Sequence, residues 1–216
     1  MSAESALPFD DFGLIETLLW TRDSGYWLVE GHRARMAASA EKLGFAFSPE
    51  AYERALAKAC AATVAERLRV RLELRRDGSL DVGAAPFPEA APKVWRVAVA
   101  PMRLNSRAPL LRHKTTRRAV YEDALAAAQA ADPGVDEVIF RNERGEVCEG
   151  ARTNLFLPRE DALLTPPLCC GLLAGVLRAD LLARGEAREH ILRLDDLKDG
   201  FLLGNALRGL FRARLR

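Results

Sequence analysis

The sequence predicts an α+β fold, and three observations predict it. Leu68, Val70, Leu72 and Leu74 alternate with Arg67, Arg69, Arg71, Glu73 and Arg75, the period-two pattern of a strand with one buried face. Ser48-Pro49-Glu50 starts a helix, with serine as cap and proline at the first helical position. Strand-like and helix-like stretches then follow one another without the regular alternation of a parallel sheet wound by helices.

Taken in order, residues 1–11 read as a loose lead-in. Phe12 to Trp20 reads as a strand, residues 22–25 as a turn and Tyr26 to Val29 as its return, a candidate hairpin. A helix is expected over 32–43, with Met36, Ala40 and Leu43 at helical spacing, ended by Gly44. The helix that Ser48 caps is expected to reach about Ala65. The alternating strand 68–74 turns at Asp77-Gly78 and returns over 79–82. Three prolines and four alanines mark 83–93 as a loop, and Trp95 to Ala100 reads as a strand.

Residues 101–112 have no clear period and hold Pro101 and Pro109, so they read as a link between two halves. The expected division is a small N-terminal domain over 1–104, a linker over 105–112 and a larger domain over 113–216. The second half opens with an alanine-rich helix at 115–131 that Asp132-Pro133-Gly134 ends. Strands are expected at 137–142, 146–149, 154–158 and 162–165. A helix at 173–184 and final strands at 200–204 and 207–213 complete the reading.

Composition limits the partners. The chain has 216 residues and a formal net charge of +2, which gives no reason to propose nucleic acid or a membrane surface. No run reaches the roughly 18 apolar residues of a membrane span, and the acidic N-terminus lacks the apolar stretch of a signal peptide. The four cysteines contain no C-x-x-C, so neither zinc nor a disulfide framework is expected. No metal site is predicted, and a cytoplasmic location is the default.

The candidate chemistry centres on residues 111–118, Leu-Arg-His-Lys-Thr-Thr-Arg-Arg. Only five of the 32 basic residues are lysines, yet Lys114 stands here among Arg112, Arg117 and Arg118. A lysine buried beside other cations can lose its proton, and arginine cannot. Its free amine attacks a carbonyl to form an imine. By itself a surface lysine in a basic patch is the commoner case. Arg35, in His32-x-x-Arg35, suits a phosphate as a planar bidentate donor, though a solvated arginine is more frequent. Gly175-Val176-Leu177-Arg178 offers backbone N–H groups near a helix start, and Gly204-Asn205-Ala206 a further turn; each alone is an ordinary glycine or turn. Arg69 and Arg71 would attract a small anionic substrate if their strand face lines a pocket. Arg103 and Arg107 are weaker candidates of that kind. His113 and Thr17 are candidates for assisting proton transfer, although His113 is as readily a packing residue.

The ordered set HxxR (32–35), HKTTRR (113–118), DEVIFRNERGEVCEGARTNLFL (136–157), TPPLCCGLLAGVLR (165–178) and GNALRG (204–209) resembles the class IV pyridoxal-phosphate enzymes over nearly the whole chain. These include branched-chain and D-amino acid aminotransferases and 4-amino-4-deoxychorismate lyase. HKTTRR and GNALRG resemble the lyase branch most, above all the version fused behind an aminodeoxychorismate synthase component. The resemblance implies two α+β domains, a pyridoxal 5'-phosphate cofactor between them, and a homodimer. It matches Lys114 to the Schiff-base lysine and Glu149 to the partner of the ring nitrogen. It matches Arg35, the backbone of Val176 and Leu177, and the Asn205-Ala206 turn to the phosphate site, and Asn154 to the asparagine that closes the EGxxxN motif. The expected partners are a small anionic amino substrate and a functional link to an aminodeoxychorismate synthase. Against this pattern the strand that precedes Ile15-Glu16-Thr17 is missing or reduced to 1–11, and Arg152 replaces a small residue typical of the aminotransferases.

Overall fold

The computed structural model describes residues 12–216 except 62, 90 and 92; the lead-in expected over 1–11, and any leading strand there, lie outside the described residues. Among the described residues the strands form two sheets. The smaller comprises β1 (Leu14–Thr21), β2 (Gly25–Tyr26), β3 (Arg67–Leu74) and β4 (Leu80–Pro86) in the antiparallel order β2-β1-β3-β4. Helices α1 (Val29–Leu43) and α2 (Pro49–Cys60) cover one face, where Met36, Tyr52 and Leu56 pack on Leu18, Val70 and Leu72. The period of two then sends Thr17 and Arg71, paired in register, and Arg69 to the opposite face.

The larger sheet comprises β5 (Trp95–Leu104), β6 (Glu137–Asn142), β7 (Val147–Gly150), β8 (Asn154–Pro158), β9 (Leu163–Thr165), β10 (Ala187–Glu189), β11 (Phe201–Asn205) and β12 (Gly209–Leu215). Its order is β10-β9-β8-β11-β12-β5-β6-β7. Helix α3 (Ala119–Ala131) packs Tyr121 and Leu125 against Val138 and Phe140, while Ile139 between them points into a second core with Val97 and Leu203. Helix α4 (Val176–Ala183) packs Leu177 and Leu181 on Phe156. Both faces of β6 are therefore buried, which is why that strand reads as a nearly continuous apolar run.

Several expectations need correction. The first hairpin return is only Gly25–Tyr26, because α1 begins at Val29. Helix α2 stops at Cys60, short of Ala65. There Thr63 Oγ1 accepts from the Ala65 N–H at 3.1 Å, a local bond that competes with a helical turn. Strand β4 runs on to Pro86 through the expected loop; it is an edge strand, where proline costs no ladder bond. Strand β5 likewise passes Pro101 to Leu104, with its pairing to β6 shifted between Val99 and Arg103. Helix α3 starts at Ala119 instead of 115, since residues 114–116 are extended, and α4 starts at Val176 instead of 173. Strand β10 was not expected.

The division at 105–112 also shifts. Strand β5 is hydrogen-bonded to β12 and β6, so it belongs to the larger sheet, and the chain crosses from one sheet to the other between β4 and β5. Pro109–Arg112 is a short 3-10 turn that leads back to the small sheet.

Candidate functional site

A cavity of about 680 Å³ lies where the exposed face of the small sheet meets the larger sheet and the start of α4. Lys114 is placed there by its neighbours' backbone. The Ile15 N–H donates to Lys114 O at 2.8 Å and the Thr116 N–H to Gly13 O at 2.9 Å, so 114–116 extends the free edge of β1. The Gly13 N–H also donates to Thr116 Oγ1 at 3.0 Å. The paired threonines after Lys114 thus hold its backbone extended, as β-branched residues favour. Burial pushes the Lys114 amine down to about 7, and the Arg118 and Arg35 guanidiniums act in the same direction.

Glu149 is the penultimate residue of β7 and is buried. Its Oε1 accepts from the Tyr121 hydroxyl at 2.9 Å and its Oε2 from the Leu173 N–H at 3.1 Å. Burial pushes its carboxyl up to about 7 in spite of both donors and the nearby Arg118 and Lys114. The cavity therefore holds an amine pushed toward its uncharged form and a carboxyl pushed toward its protonated form. Glu137, also buried, fixes the turn that follows: its Oε2 accepts from the Arg152 N–H at 3.1 Å and from the Thr153 hydroxyl at 3.3 Å.

Arg35 lies on α1 and reaches the start of α4. Its Nε and Nη2 donate to Glu16 at 2.8 and 2.5 Å, and its Nη1 to Ala174 O at 3.2 Å. Three of the five N–H groups of a guanidinium are thus used, which leaves two. Burial would raise the Glu16 carboxyl, but Arg35 and His32 outweigh it and hold it at about 2. Glu16 Oε2 lies 2.6 Å from His32 Nδ1, and the buried His32 Nε2 has no hydrogen-bond partner among the described residues. Glu16 is thus the residue that aims Arg35.

Gly175 is the N-cap residue of α4 and supplies no side-chain cap, so the first N–H groups of the helix are open to an anion. A Cβ on Gly175 would lie 1.7 Å from Asn154 Oδ1, and one on Gly31 would lie 2.7 Å from Val176 Cγ1. Both glycines permit a close approach that any side chain would fill. Asn154 Nδ2 donates to Leu173 O at 3.1 Å, which ties the strand to the segment ahead of α4.

Most of the residues singled out in the sequence meet in this cavity: Lys114, Glu149, Arg35, Asn154, Val176, the Asn205-Ala206 turn, Thr17, His113, Arg69 and Arg71 all line it. Leu177 does not line it; its side chain is buried with Phe156 and Ala206, one residue into α4. Arg107 is corrected outright. It is exposed and lines a separate shallow depression with Arg112, Arg144 and Cys169, because the turn after β5 points away from the small sheet. Arg103 donates to Asn142 O at 3.1 Å and is outside the cavity too. His113 Nδ1 lies 2.9 Å from Ser39 Oγ; burial and the nearby Lys42 and Arg112 push its pKa down.

Sequence reasoning missed Glu16, Tyr121 and Arg208. Glu16 carried a signal: it is a charged residue amid the apolar β1 run Leu14-Ile15-Glu16-Thr17-Leu18. Tyr121, on the alanine-rich α3, carried none.

The donor set fits a phosphorylated pyridine aldehyde: an amine able to form an imine, a buried carboxyl to face a ring nitrogen, and a guanidinium beside an uncapped helix start. Comparison with known proteins agrees. The family model described as amino-transferase class IV matches residues 13–215. A Schizosaccharomyces pombe protein named "Putative aminodeoxychorismate lyase" is 33% identical over 207 residues, covering 92% of this chain and 87% of that protein. The solved structure of a "Putative amino-acid aminotransferase" from Mesorhizobium loti is 43% identical, covers 95% of this chain and 100% of its own, and superposes with a TM-score of 0.89. A hypothetical aminotransferase from Mycobacterium tuberculosis, solved with alpha-ketoglutarate and PMP bound, is 26% identical, covers 100% of this chain and 87% of its own, and has a TM-score of 0.80. The chain belongs to the class IV amino-transferase family.

Proposed function

We propose that this protein is a 4-amino-4-deoxychorismate lyase that removes pyruvate from its substrate to give p-aminobenzoate, a step toward folate. The observation that carries the reading is one arginine-lined cavity holding both the depressed amine of Lys114 and the raised carboxyl of Glu149. The cofactor is pyridoxal 5'-phosphate. Lys114 would hold it covalently, Glu149 would face its ring nitrogen, and Arg35 with the start of α4 and the Asn205-Ala206 turn would hold its phosphate. When bound, it supplies an electron sink for the pair released as a substrate C–H bond breaks.

The protein's own groups do the rest. With its pKa near 7, the Lys114 amine is substantially uncharged at neutral pH and takes the proton from the substrate carbon bearing the amine. The ether C–O bond on the adjacent carbon then breaks, the ring becomes aromatic, and the released enolpyruvate gains a proton to become pyruvate. Glu149, fixed by Tyr121 and the Leu173 N–H, shares a proton with the ring nitrogen. The strand face bearing Arg69 and Arg71 gives the cavity the positive charge that a substrate with two carboxylates calls for.

The similarity to the Schizosaccharomyces pombe protein along 92% of the chain supports the lyase. A second reading, an aminotransferase with the same lysine and glutamate, is favoured by the 43% identity to the Mesorhizobium loti structure. Purified protein mixed with aminodeoxychorismate and no keto acid separates them. The lyase releases p-aminobenzoate and pyruvate in equal amounts. No release, with amino transfer to 2-oxoglutarate, overturns it in favour of the aminotransferase. A homodimer and a functional link to an aminodeoxychorismate synthase belong to the same proposal.

A further inference from the structure

Three guanidinium groups at the mouth of the cavity have no ion-pair partner among the described residues. Arg69 comes from β3, Arg152 from the turn between β7 and β8, and Arg208 from the turn between β11 and β12; all three line the cavity and are exposed. Arg71, next along the strand face, is different, for its Nη1 donates to Glu73 at 2.8 Å. Among the described residues no carboxylate pairs with the guanidinium of Arg69, Arg152 or Arg208. Glu137, the carboxyl under Arg152, is engaged by the backbone N–H of Arg152 and by Thr153.

The convergence is built. Asn205 Nδ2 donates to Arg152 O at 3.0 Å, and Asn205 Oδ1 accepts from the Arg208 N–H at 3.0 Å. One side chain therefore clamps both turns together. The Arg208 guanidinium lies 4.8 Å from the Phe87 ring centroid and 5.7 Å from that of Trp95, so its plane is held by aromatic faces. Arg69, Arg152 and Arg208 line the same cavity, and burial, Arg152 and Arg69 all push the Arg208 pKa down. Like charges held together by a designed clamp repel unless an anion joins them.

We propose that Arg152 and Arg208, with Arg69 across the cleft, form an anion subsite that receives the substrate carboxylate farther from the reacting amine. This deepens the reading of a two-carboxylate substrate and rests on it for the substrate's identity. The subsite sets specificity; it leaves the chemistry at Lys114 to the residues already described. The same chemistry would suit the phosphate of the cofactor, and the test separates the two sources.

The holoenzyme is titrated with glutarate and, separately, with butyrate, following the visible absorption of the bound cofactor. The wild type should hold glutarate about tenfold or more tighter than butyrate, the scale of a charge-assisted contact. In Arg152→Gln/Arg208→Gln that preference should fall to near unity, with butyrate affinity and cofactor content unchanged. Arg152→Lys/Arg208→Lys should keep part of it. The single variant Arg152→Gln, at an exposed position, should lose several-fold and guards against misfolding of the double variant. A wild type without preference, or a double variant that keeps it, overturns the subsite. Loss of cofactor from the double variant, restored by excess pyridoxal phosphate, assigns the anion to the cofactor phosphate and overturns it as well. The lyase assay is read separately: if no p-aminobenzoate forms, the lyase reading fails, while the glutarate preference still decides the subsite.

Discussion

The Tyr121 hydroxyl donates to Glu149 Oε1 across 2.9 Å in the buried wall of the cavity. With the Leu173 N–H on the other oxygen, it fixes the plane of the carboxyl that we propose faces the ring nitrogen of the cofactor. Tyr121→Phe removes a single oxygen and leaves the packing against Phe140, whose ring centroid is 5.0 Å away. A hydrogen bond to a charged group contributes ~1.5–3 kcal/mol. The variant should therefore lose roughly tenfold or more in kcat, keep its bound cofactor, and shift the pH titration of the visible band upward. An unchanged titration would mean that Tyr121 only packs.

Gly175 is required by a contact. An added Cβ would sit 1.7 Å from Asn154 Oδ1, so Gly175→Ala must push Asn154 or the start of α4 aside. Cofactor affinity should fall by about tenfold or more, measured by equilibrium dialysis, with little change in the far-ultraviolet circular dichroism.

Glu16 aims Arg35 from a fully buried position. Removing one partner of a buried pair costs about 3 kcal/mol or more, because the other charge is stranded. Its carboxyl is held down at about 2 against an ordinary 4.5, so its contribution is present above about pH 4.5 and is lost as pH falls toward 2. Glu16→Gln should lower Tm strongly at pH 7 and much less near pH 2, by calorimetry.

Lys114 has the opposite balance. Its amine is depressed to about 7 from an ordinary 10.5, so the folded apoprotein is penalised most below pH 7 and not at all above about 10.5. Lys114→Met should raise the Tm of the apoprotein by several degrees at pH 6, at about 2–4 °C per kcal/mol for a chain of this size. The difference should shrink as pH rises toward 10. A constant difference across that range would show that the amine is not desolvated.

How much of this was legible in the sequence depends on the range of each interaction. The alternation at 68–74 and the cap at Ser48 are local, and β3 and the start of α2 appear where those signals put them. The end of α2 and the run of β4 to Pro86 depend on a threonine side-chain bond and on which strand lies at an edge, and neither is written in a propensity. Strand β5 was read into the wrong half because membership of a sheet is set by partners up to 118 residues away, as in Ala213 beside Trp95. That Lys114 and Glu149, the pair proposed to act with the cofactor, share one cavity was legible through residue type and the ordered motifs. The residues that hold that pair in place were less so. Tyr121 and Glu16 reach the site across 28 and 19 residues of sequence, through side-chain contacts that no local pattern encodes, whereas Arg208 stands inside GNALRG and was passed over because its direction is not written there. Arg107 was misplaced because its charge was visible and its direction was not.

The most direct test of the central claim is the covalent address of the cofactor. Holoenzyme reduced with borohydride and digested should carry the pyridoxyl mass on Lys114 alone among its five lysines, and Lys114→Ala should carry none. A modified Lys42, Lys58, Lys93 or Lys198, or cofactor still bound covalently in Lys114→Ala, would contradict the account.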